Sequence, residues 1–418
     1  MSTFVPSQRV AGMHESPSMA AAQHVRELRA SGRQILDLTA GEPDFDTPAN
    51  VAAAAINAIN AGATRYTPVN GTPELRAAIA KRANLRTGLS YDDAHITVGS
   101  GAKQVIFNAL MATVDAGDEV IVPAPYWVSY PTMIQIHGGT PVVVECTESD
   151  GFVLTAERLT AAITASTKWV IINSPSNPTG AVYSEEQLAS LAAVFEQHPH
   201  INILWDEIYD EITFNGPAPN IAAVAPQLRD RILVVNGVSK TYAMTGWRLG
   251  YGLGNPELIR AINAIQSQST SCASSISQAA AVEALNGEQK FVAAALNRYR
   301  DRKDTAYRMI SDIEGLMPIK PAGAFYLFIN CGAILGSRTP SGRTLSTDVD
   351  VTDYILEKYS VATIPGSAFG ASPYFRITCA TSDETLETAI LAIREAVTNL
   401  EPPAASRVAE QNDFIQTS

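Results

Sequence analysis

Between residues 95 and 254, short apolar runs rich in β-branched residues alternate with longer segments of helical period. The runs are HITVGS (95–100), EVIVPAP (119–125), TPVVVEC (140–146), KWVIINS (168–174), NILWDE (202–207), RILVVNG (231–237) and RLGYGLG (248–254). Helix-like stretches such as Lys103–Val114, Glu185–Gln197 and Glu257–Gln268 lie between them. Strands that are apolar along their whole length are covered on both faces, and crossover helices of this kind connect parallel neighbours. We therefore expect an α/β fold whose mostly parallel, seven-stranded sheet is sandwiched by helices.

The length of the chain and a change of pattern after residue 298 indicate two domains. A chain of 418 residues exceeds the size at which a single hydrophobic core stops growing. We assign residues 50–298 to a large α/β domain, and residues 299–400, which include a polar insertion at 336–347, to a smaller α+β domain. Residues 1–49 are expected to pack on the small domain, and residues 401–418 are expected to form a polar tail.

Charge and cysteine usage argue against several classes of protein. Lys and Arg number 30 against 42 Asp and Glu, a formal net charge of −12, so we expect no nucleic-acid partner. The four cysteines are far apart and lack CxxC spacing, which disfavours both a disulfide framework and a zinc site. No apolar run approaches the length of a membrane span, and the N-terminus lacks the apolar stretch of a signal peptide. We expect a cytoplasmic protein without a metal and without membrane association.

In a doubly wound sheet, ligands bind at the carboxyl ends of the strands, so the residues that follow each run are candidate site residues. Ser100, Gly101, Ala102 and Lys103 follow the first run and open a helix. Small residues and the free N–H groups of a helix N-terminus favour an anion such as a phosphate. As a dinucleotide-binding loop the stretch matches only in part. We interpret residues 100–103 as a phosphate cup.

Further strand ends carry chemically distinct side chains. Trp127 follows the second run, and Asn177 lies in the turn after the fourth. Asp206 lies at the end of the fifth run, Tyr209 follows it, and Lys240 follows the sixth. Each has an ordinary explanation by itself, such as core packing, turn formation or a solvated charge. Together, however, they place a stacking ring, an amide, a carboxylate, a phenol and an amine beside the phosphate cup. Pyridoxal 5′-phosphate (PLP) requires these groups, since its aldehyde forms a Schiff base with lysine and its ring nitrogen pairs with a carboxylate.

A set of motifs carries a resemblance to a known family, and the resemblance extends from about Arg26 to Glu395. The motifs are TAGEPDFDTP, RYTPVNGTPELR, PYWVSYP, NSPSNPTGAVY, WDEIY, NGVSKTYAMTGWRLGY, GAFY and YFRITCATS. In combination they are specific, and the sequence resembles the class I aminotransferases of PLP fold type I, most closely the bacterial aspartate aminotransferases. The resemblance implies an aminotransferase with PLP as its cofactor. It also implies the fold type I architecture of a large α/β domain and a smaller α+β domain.

The resemblance assigns roles around the cofactor ring, motif by motif. Lys240 would hold the cofactor covalently and would act as general base and acid in proton transfer. Asp206 would face the ring nitrogen and keep it protonated. Tyr209 and Asn177 would hydrogen-bond the ring oxygen O3′, and Trp127 would stack on the ring.

The resemblance also assigns the phosphate site and implies a homodimer with shared active sites. Arg248 would bind the phosphate together with the backbone of the phosphate cup. Tyr66, in RYTP, matches a tyrosine that reaches the phosphate of the neighbouring subunit. Many relatives carry a serine three residues before the lysine, where this chain has Gly237. Either Ser239 or Ser100 could compensate for that departure.

For the substrate, the resemblance implies an amino acid whose side chain is acidic. Arg376, in YFRIT, matches the arginine that binds the α-carboxylate, and a guanidinium grips a carboxylate with two hydrogen bonds. The backbone of Gly41 would complete this site, together with Asn177 and Trp127. Lys103 stands where relatives use a lysine to meet the distal carboxylate. We therefore expect L-aspartate and 2-oxoglutarate to be converted to oxaloacetate and L-glutamate.

Three alternative functions remain open from the sequence. An aromatic or prephenate aminotransferase would differ only in the room left for the substrate side chain. A PLP-dependent lyase, of the C–S lyase or aminocyclopropane-carboxylate synthase type, would form product without a keto-acid acceptor. A PLP-binding transcription regulator would need a DNA-binding domain, and we expect none because about forty residues precede GEPDFDTP without a basic helix-turn-helix pattern.

Overall fold

The structure, a computed structural model, describes residues 4–11 and 17–402. Within them the strands are β1 (Leu36–Asp37), β2 (Ile96–Gly99), β3 (Glu119–Ala124), β4 (Thr140–Glu145), β5 (Thr167–Asn173), β6 (Asn202–Asp206), β7 (Ile232–Gly237), β8 (Gly250–Leu253), β9 (Met317–Ile319), β10 (Tyr326–Asn330), β11 (Val361–Ala362), β12 (Ile364–Pro365) and β13 (Tyr374–Thr378). The α-helices are α1 (Gln8–Ala11), α2 (Pro17–Ala30), α3 (Ala49–Asn60), α4 (Pro73–Thr87), α5 (Ala102–Thr113), α6 (Ser129–Ile136), α7 (Ala156–Ala162), α8 (Glu185–Gln197), α9 (Ile221–Val224), α10 (Pro256–Ser269), α11 (Ser275–Asn286), α12 (Lys290–Ser311), α13 (Asp348–Tyr359) and α14 (Asp383–Thr398). Of the predicted polar tail at 401–418, residues 403–418 lie outside the described residues, as do residues 1–3 and 12–16 of the predicted N-terminal segment.

The central sheet of the described chain contains seven strands in the order β2-β8-β7-β6-β5-β3-β4. Strands β4, β3, β5, β6 and β7 are parallel neighbours, whereas β8 is antiparallel to both β7 and β2. Each apolar run of the sequence forms one of these strands, so the prediction of an α/β fold with a mostly parallel, seven-stranded sheet is confirmed. The order brings the carboxyl ends of β3, β5, β6 and β7 to one edge.

The sheet has a hydrophobic core on each face because its central strands are apolar at most successive positions. Val170 and Ile203 face helices α3, α4, α8 and α11, and the neighbouring Ile171 and Leu204 face α5, α6 and α10. Alternate residues of a strand point to opposite faces, so a strand covered on both sides must be apolar throughout. This double coverage fixes the positions of the strand ends, where the candidate site residues lie.

Local capping residues set the bounds of several helices. The Ser184 hydroxyl caps α8 by accepting a hydrogen bond from the backbone N–H of Gln187, and the Gln187 side-chain oxygen accepts one from the backbone N–H of Ser184. The Thr72 hydroxyl caps the N-terminus of α4 by accepting a hydrogen bond from the backbone N–H of Leu75, and Gly88 ends that helix with a φ of 70°. These signals can be read from the sequence because they join residues only a few positions apart.

A second sheet of the described chain is antiparallel and has four strands in the order β12-β13-β10-β9. Helices α12, α13 and α14 cover it and form a core of their own with Leu327, Ile329 and Phe375. Strand β1 pairs in parallel with β11, so part of the N-terminal segment packs beside this sheet. Helix α12 spans the position between residues 298 and 299 at which we predicted the domain boundary. No helix in the described part of the chain combines the length and the apolar composition that a membrane crossing requires.

Candidate active site

A cavity of about 290 Å³ lies at the carboxyl ends of the parallel strands, between them and the four-stranded sheet. It brings together most of the residues that the sequence pointed to. Those that line it are Gly41, Ala102, Lys103, Trp127, Asn177, Asp206, Tyr209, Ser239, Lys240, Arg248 and Arg376.

Three of the predicted residues do not line this cavity. Gly101 precedes α5 as its N-terminal cap. Ser100 lines two adjoining depressions of the surface, both of which include Arg248. Tyr66 is 89% exposed and lines a separate depression with Cys272, so within one chain it does not reach the phosphate cup. Of the two serines that could compensate for Gly237, Ser239 lines the cavity and Ser100 does not.

Asp206 is the last residue of β6 and is buried beneath the cavity. The Tyr130 hydroxyl donates to its Oδ2 at 2.6 Å, and the backbone N–H of Ile208 donates to its Oδ1 at 3.2 Å. Burial raises the pKa of Asp206 to about 6, and these two hydrogen bonds and the positive charge of Lys240 oppose that rise. Within the described part of the chain Asp206 forms no ion pair. A buried carboxylate that lacks a cation is stabilised by any cationic group that a ligand brings to it.

Lys240 lies in the loop after β7, and its Nζ donates to the backbone carbonyl of Gly41 at 2.5 Å. The pKa of Lys240 is lowered to about 8, chiefly by burial and also by the positive charges of Arg248 and Arg376, while the negative charges of Glu42 and Asp206 oppose the shift. A substantial fraction of this amine is therefore neutral near pH 8, and only the neutral form is a nucleophile or a base.

The phosphate cup depends on glycine at two positions. Gly101 has a φ of +92°, and a Cβ there would overlap the Arg248 guanidinium, which packs directly on the start of α5. A Cβ at Gly250 would run into the backbone of Ala102, where β8 passes the same helix end. Arg248 itself has a φ of 52°, and its Nη1 donates to the carbonyl of Thr245 at 2.9 Å. A guanidinium beside the N–H groups of a helix N-terminus forms an anion site.

Arg376, in the middle of β13, is 3% exposed. Its Nη1 donates to Asn177 Oδ1 at 2.8 Å, and its Nη2 donates to the carbonyl of Thr39 at 2.7 Å. Its Nε has no hydrogen-bond partner, and among the described residues no carboxylate pairs with the guanidinium. Burial lowers its pKa. A buried cation without a counter-ion is costly unless a ligand supplies an anion.

Aromatic rings surround these charged groups. The guanidinium of Arg376 lies 4.2 Å from the centre of the Tyr326 ring and 5.1 Å from that of Phe369. At the opposite side, Lys103 Nζ lies 4.7 Å from the centre of the Trp127 ring, and burial lowers the pKa of that lysine. The rings beside Arg376 exclude water from its buried guanidinium, whereas Lys103 stays exposed at the cavity rim, and both cations keep their charge available to an anionic ligand.

The structure adds residues that the sequence did not single out. Tyr130 binds Asp206, Tyr326 hydrogen-bonds Tyr209 with their oxygens 2.9 Å apart, and Asn173 accepts the backbone N–H of Asn177 at 2.8 Å. Tyr130 and Tyr326 lie within the motifs PYWVSYP and GAFY, and Asn173 ends β5. The sequence could therefore have indicated these residues by their position in a motif or at a strand end. It could not have indicated which residue each would hydrogen-bond.

These residues fit PLP. Asp206 supplies a buried carboxylate for a ring nitrogen, Lys240 an amine of lowered pKa, and Arg248 with the helix end an anion site. Arg376 retains an unsatisfied buried nitrogen on the other side of the cavity, where a substrate carboxylate would lie. The cations in the lining outnumber the one carboxylate, Asp206, which suits a phosphate and a carboxylate together.

Comparison with known proteins gives a consistent set of matches. The family model "Aminotransferase class I and II" matches residues 33–393. A "Probable aspartate/prephenate aminotransferase" of Rickettsia bellii is 48% identical over 395 residues, which cover 94% of this chain and 99% of that protein. The aspartate aminotransferase of Rhizobium meliloti has a crystal structure that superposes with a TM-score of 0.93 at 47% identity, covering 95% of this chain and 100% of that one. The aspartate aminotransferase of Thermus thermophilus with maleate gives a TM-score of 0.88 at 39% identity, covering 94% and 100%.

Proposed function

The chain belongs to the class I and II aminotransferases, and on this premise we propose that its cavity transfers the amino group of L-aspartate to 2-oxoglutarate. Aminotransferases of this family use PLP, which, when bound, withdraws electrons from the Cα of the amino acid. The observation that carries the proposal is a pair of charges in one cavity that form no ion pair with any described residue, the Arg376 guanidinium and the Asp206 carboxylate. A substrate carboxylate and a protonated ring nitrogen would satisfy both.

We propose that the carboxyl ends of the strands hold the cofactor. Asp206 would keep the ring nitrogen protonated, because a buried carboxylate strongly favours a cation beside it. The hydroxyl of Tyr209 and the amide of Asn177 would donate to the ring oxygen. Arg248 and the N-terminus of α5 would bind the phosphate, with Ser239 from the cavity wall as a further donor.

Lys240 would move the proton that transamination requires. Its Nζ lies in the cavity and would remove the proton from the substrate Cα, acting as a general base. A pKa of about 8 suits this role, because the amine can both accept and return a proton near neutral pH. The carbonyl of Gly41, at 2.5 Å, orients the amine meanwhile.

Two cations would select the substrate. Arg376 would bind the α-carboxylate with two hydrogen bonds, since Asn177 and Thr39 already fix the plane of its guanidinium. Lys103 would meet the distal carboxylate from the first turn of α5, where the helix dipole disfavours a lysine unless an anion accompanies it. The backbone of Gly41 and the ring of Trp127 would complete the binding site.

The test is a set of half-reactions with the PLP-loaded protein. Each amino acid is mixed singly, and the loss of the cofactor's absorbance band is followed without and then with 2-oxoglutarate. L-Aspartate should bleach the band once and turn over only with the acceptor. Lys240→Ala should lose both signals, whereas Lys168→Ala, whose amine pairs with Asp118 at the opposite end of β5, should retain them. Continuous product formation without an oxo acid would reject a transaminase in favour of a lyase.

A specific observation favours prephenate as a second substrate. A mostly apolar cavity of about 600 Å³, with Phe107, Met111 and Met133 in its wall, adjoins the first and shares Lys103 and Arg248 with it. The relative from Rickettsia bellii is named for both aspartate and prephenate. The kcat/KM values for aspartate, phenylalanine and prephenate, each measured with glutamate or 2-oxoglutarate as the second substrate, would identify the preferred substrate. A ratio that favours aspartate by several orders of magnitude would exclude prephenate as a substrate.

We also propose that the chain is a cytoplasmic homodimer with shared sites. Tyr66 is 89% exposed in the single chain, which is unusual for a tyrosine, and Arg248 is exposed at the edge of the phosphate cup. A second copy would bring its Tyr66 to that edge. Light scattering should give twice the chain mass of 44.6 kDa, and a species of one chain mass that retains full activity would reject shared sites. Buried free thiols at Cys146, Cys331 and Cys379 suit a reducing compartment.

A further inference from the structure

Tyr326 occupies the centre of the site without having a role in the function proposed above. It begins β10, pairs with Thr378 of β13 and is fully buried. Its hydroxyl oxygen lies 2.9 Å from that of Tyr209, and its ring lies beneath the guanidinium of Arg376 at 4.2 Å. A Cβ at Gly41 would stand 3.2 Å from the same hydroxyl, so the side chain also borders the segment that holds Lys240. One residue thus contacts both the cofactor side and the carboxylate side of the cavity.

We propose that Tyr326 is a positioning residue with two separable actions. Its ring supports the guanidinium of Arg376 in the orientation that receives the substrate carboxylate. Its hydroxyl donates to the hydroxyl of Tyr209 and so strengthens the hydrogen bond that Tyr209 donates to the ring oxygen of the cofactor. The inference rests on the proposed function and adds a residue to it.

The direction of the hydroxyl chain follows from the count of protons. Each tyrosine hydroxyl has one proton to donate. If Tyr209 donates its proton to the ring oxygen, its own oxygen can only accept, and Tyr326 is the partner within reach. A donor that itself accepts a hydrogen bond is polarised and donates more strongly. The chain therefore runs from Tyr326 through Tyr209 to the cofactor.

The charges around the pair support this direction. The groups that face the two hydroxyls are Arg376 from β13, Asp206 from β6, Tyr299 from α12 and Lys240 from the loop after β7. Burial raises the pKa of Tyr326, and the Arg376 cation opposes that rise. The pKa of Tyr209 is raised by burial and further by Tyr326, with Arg376 opposing, and it lies well above its ordinary value. The pKa of Tyr326 is raised less, so Tyr326 is the better donor of the two.

Two substitutions separate the two actions. Tyr326→Phe keeps the ring against Arg376 and removes only the hydroxyl, whereas Tyr326→Leu removes both. With the cofactor bound, the ring oxygen would share a proton with the lysine-bound nitrogen. A hydrogen bond donated to the ring oxygen stabilises its negative charge, so the shared proton is lost more easily. Weakening that bond should therefore raise the pH midpoint of the cofactor's absorbance change. Losing a hydrogen bond made directly to the ring oxygen would raise the midpoint by roughly one pH unit. Tyr326→Phe only weakens the bond that Tyr209 makes, so it should raise the midpoint by about 0.3–0.7 pH units.

The ring action is measured with a dicarboxylate that cannot react. Maleate binding is followed by the change in cofactor absorbance. Tyr326→Phe should keep the maleate Kd within about twofold, whereas Tyr326→Leu should raise it by about 3- to 30-fold, the range that a buried cation–π contact represents. Calorimetry on cofactor-free protein should show the same weakening of maleate binding in Tyr326→Leu, because that measurement does not depend on the pH midpoint of the cofactor's absorbance.

The matched control is Tyr354→Phe. This variant also removes a buried tyrosine hydroxyl, one that donates to the carbonyl of Ala396 far from the cavity, so the midpoint and the maleate Kd should both stay unchanged. An unchanged midpoint in Tyr326→Phe would overturn the hydroxyl action, and a raised maleate Kd in that same variant would overturn the separation of the two actions. Wild-type protein that shows no cofactor band would instead reject the proposed function, so the two failures are distinguishable.

Discussion

Replacing Arg376 with lysine gives the most direct test of the buried guanidinium. The side chain is 3% exposed, and two of its nitrogens are occupied by Asn177 Oδ1 at 2.8 Å and the carbonyl of Thr39 at 2.7 Å. These two contacts hold the guanidinium plane, and the remaining donors, including the unpartnered Nε, are available to a carboxylate. A lysine presents a point charge and cannot form the same pair of parallel hydrogen bonds.

The expected loss can be worked from this geometry. Hydrogen bonds to a charged group contribute about 1.5–3 kcal/mol, so losing one arm of the fork should cost about 10- to 150-fold in affinity. The loss should be equal for the amino acid and the oxo acid, because both present the same carboxylate. It should appear in kcat/KM for both substrates and in the Kd of maleate, with the cofactor band intact.

The control for this experiment is Arg260→Lys, which changes a largely exposed arginine of α10 that pairs with Glu257 three residues away. That variant should match the wild-type protein in every measurement. If Arg376→Lys left both kcat/KM values and the maleate Kd within twofold of wild type, the guanidinium would not be a carboxylate site. Loss for the amino acid alone would equally contradict a shared carboxylate site.

Three further predictions concern the other charged groups. Lys103→Ala should lower kcat/KM for aspartate about tenfold while leaving phenylalanine unchanged, and an unchanged ratio of the two would remove the distal-carboxylate role. Because burial raises the folded pKa of Asp206 to about 6, above its ordinary 3.8, its contribution to stability is lost as pH rises through 6. In cofactor-free protein, Asp206→Asn should therefore raise the free energy of unfolding, measured by urea titration, by about 3 kcal/mol at pH 8. This gain should vanish near pH 4, and the variant should also retain less cofactor. Because burial lowers the pKa of Lys240 to about 8, covalent loading of PLP should rise with a midpoint near pH 8, and a rate that still climbs at pH 10 would contradict the shift.

The seven strands of the central sheet could be predicted from local sequence, and their order could not. Each run is apolar at successive positions, as Val170 and Ile171 illustrate, and such a run is stable only when both faces are covered. The insertion of β8 between β2 and β7, antiparallel to both, has no local signal. Strand order depends on how crossover connections pack, which is a property of the whole chain.

The candidate site divides in the same way. Asp206 and Lys240 could be proposed from their positions after apolar runs, because parallel strands end at one edge. Tyr130 and Tyr326 could not, because the contacts that matter join Tyr130 to Asp206 across 76 positions and Tyr326 to Tyr209 across 117. Tyr66 depends on a second chain and stays a prediction.

By itself the sequence determined which segments are strands and helices and which polar residues follow the strands. It also determined that those residues can bind a phosphate and supply an amine and a carboxylate. Those properties are local, since hydrophobic period, helix caps and the chemistry of a side chain are set within a few residues. Only the tertiary structure decided that no described carboxylate pairs with the Arg376 guanidinium, that the Lys240 amine is desolvated enough to titrate near pH 8, and that the ring of Tyr326 lies beneath Arg376. Burial and pairing depend on what distant segments bring to the same place, and they set the pKa values and the unsatisfied charges on which the proposed chemistry depends.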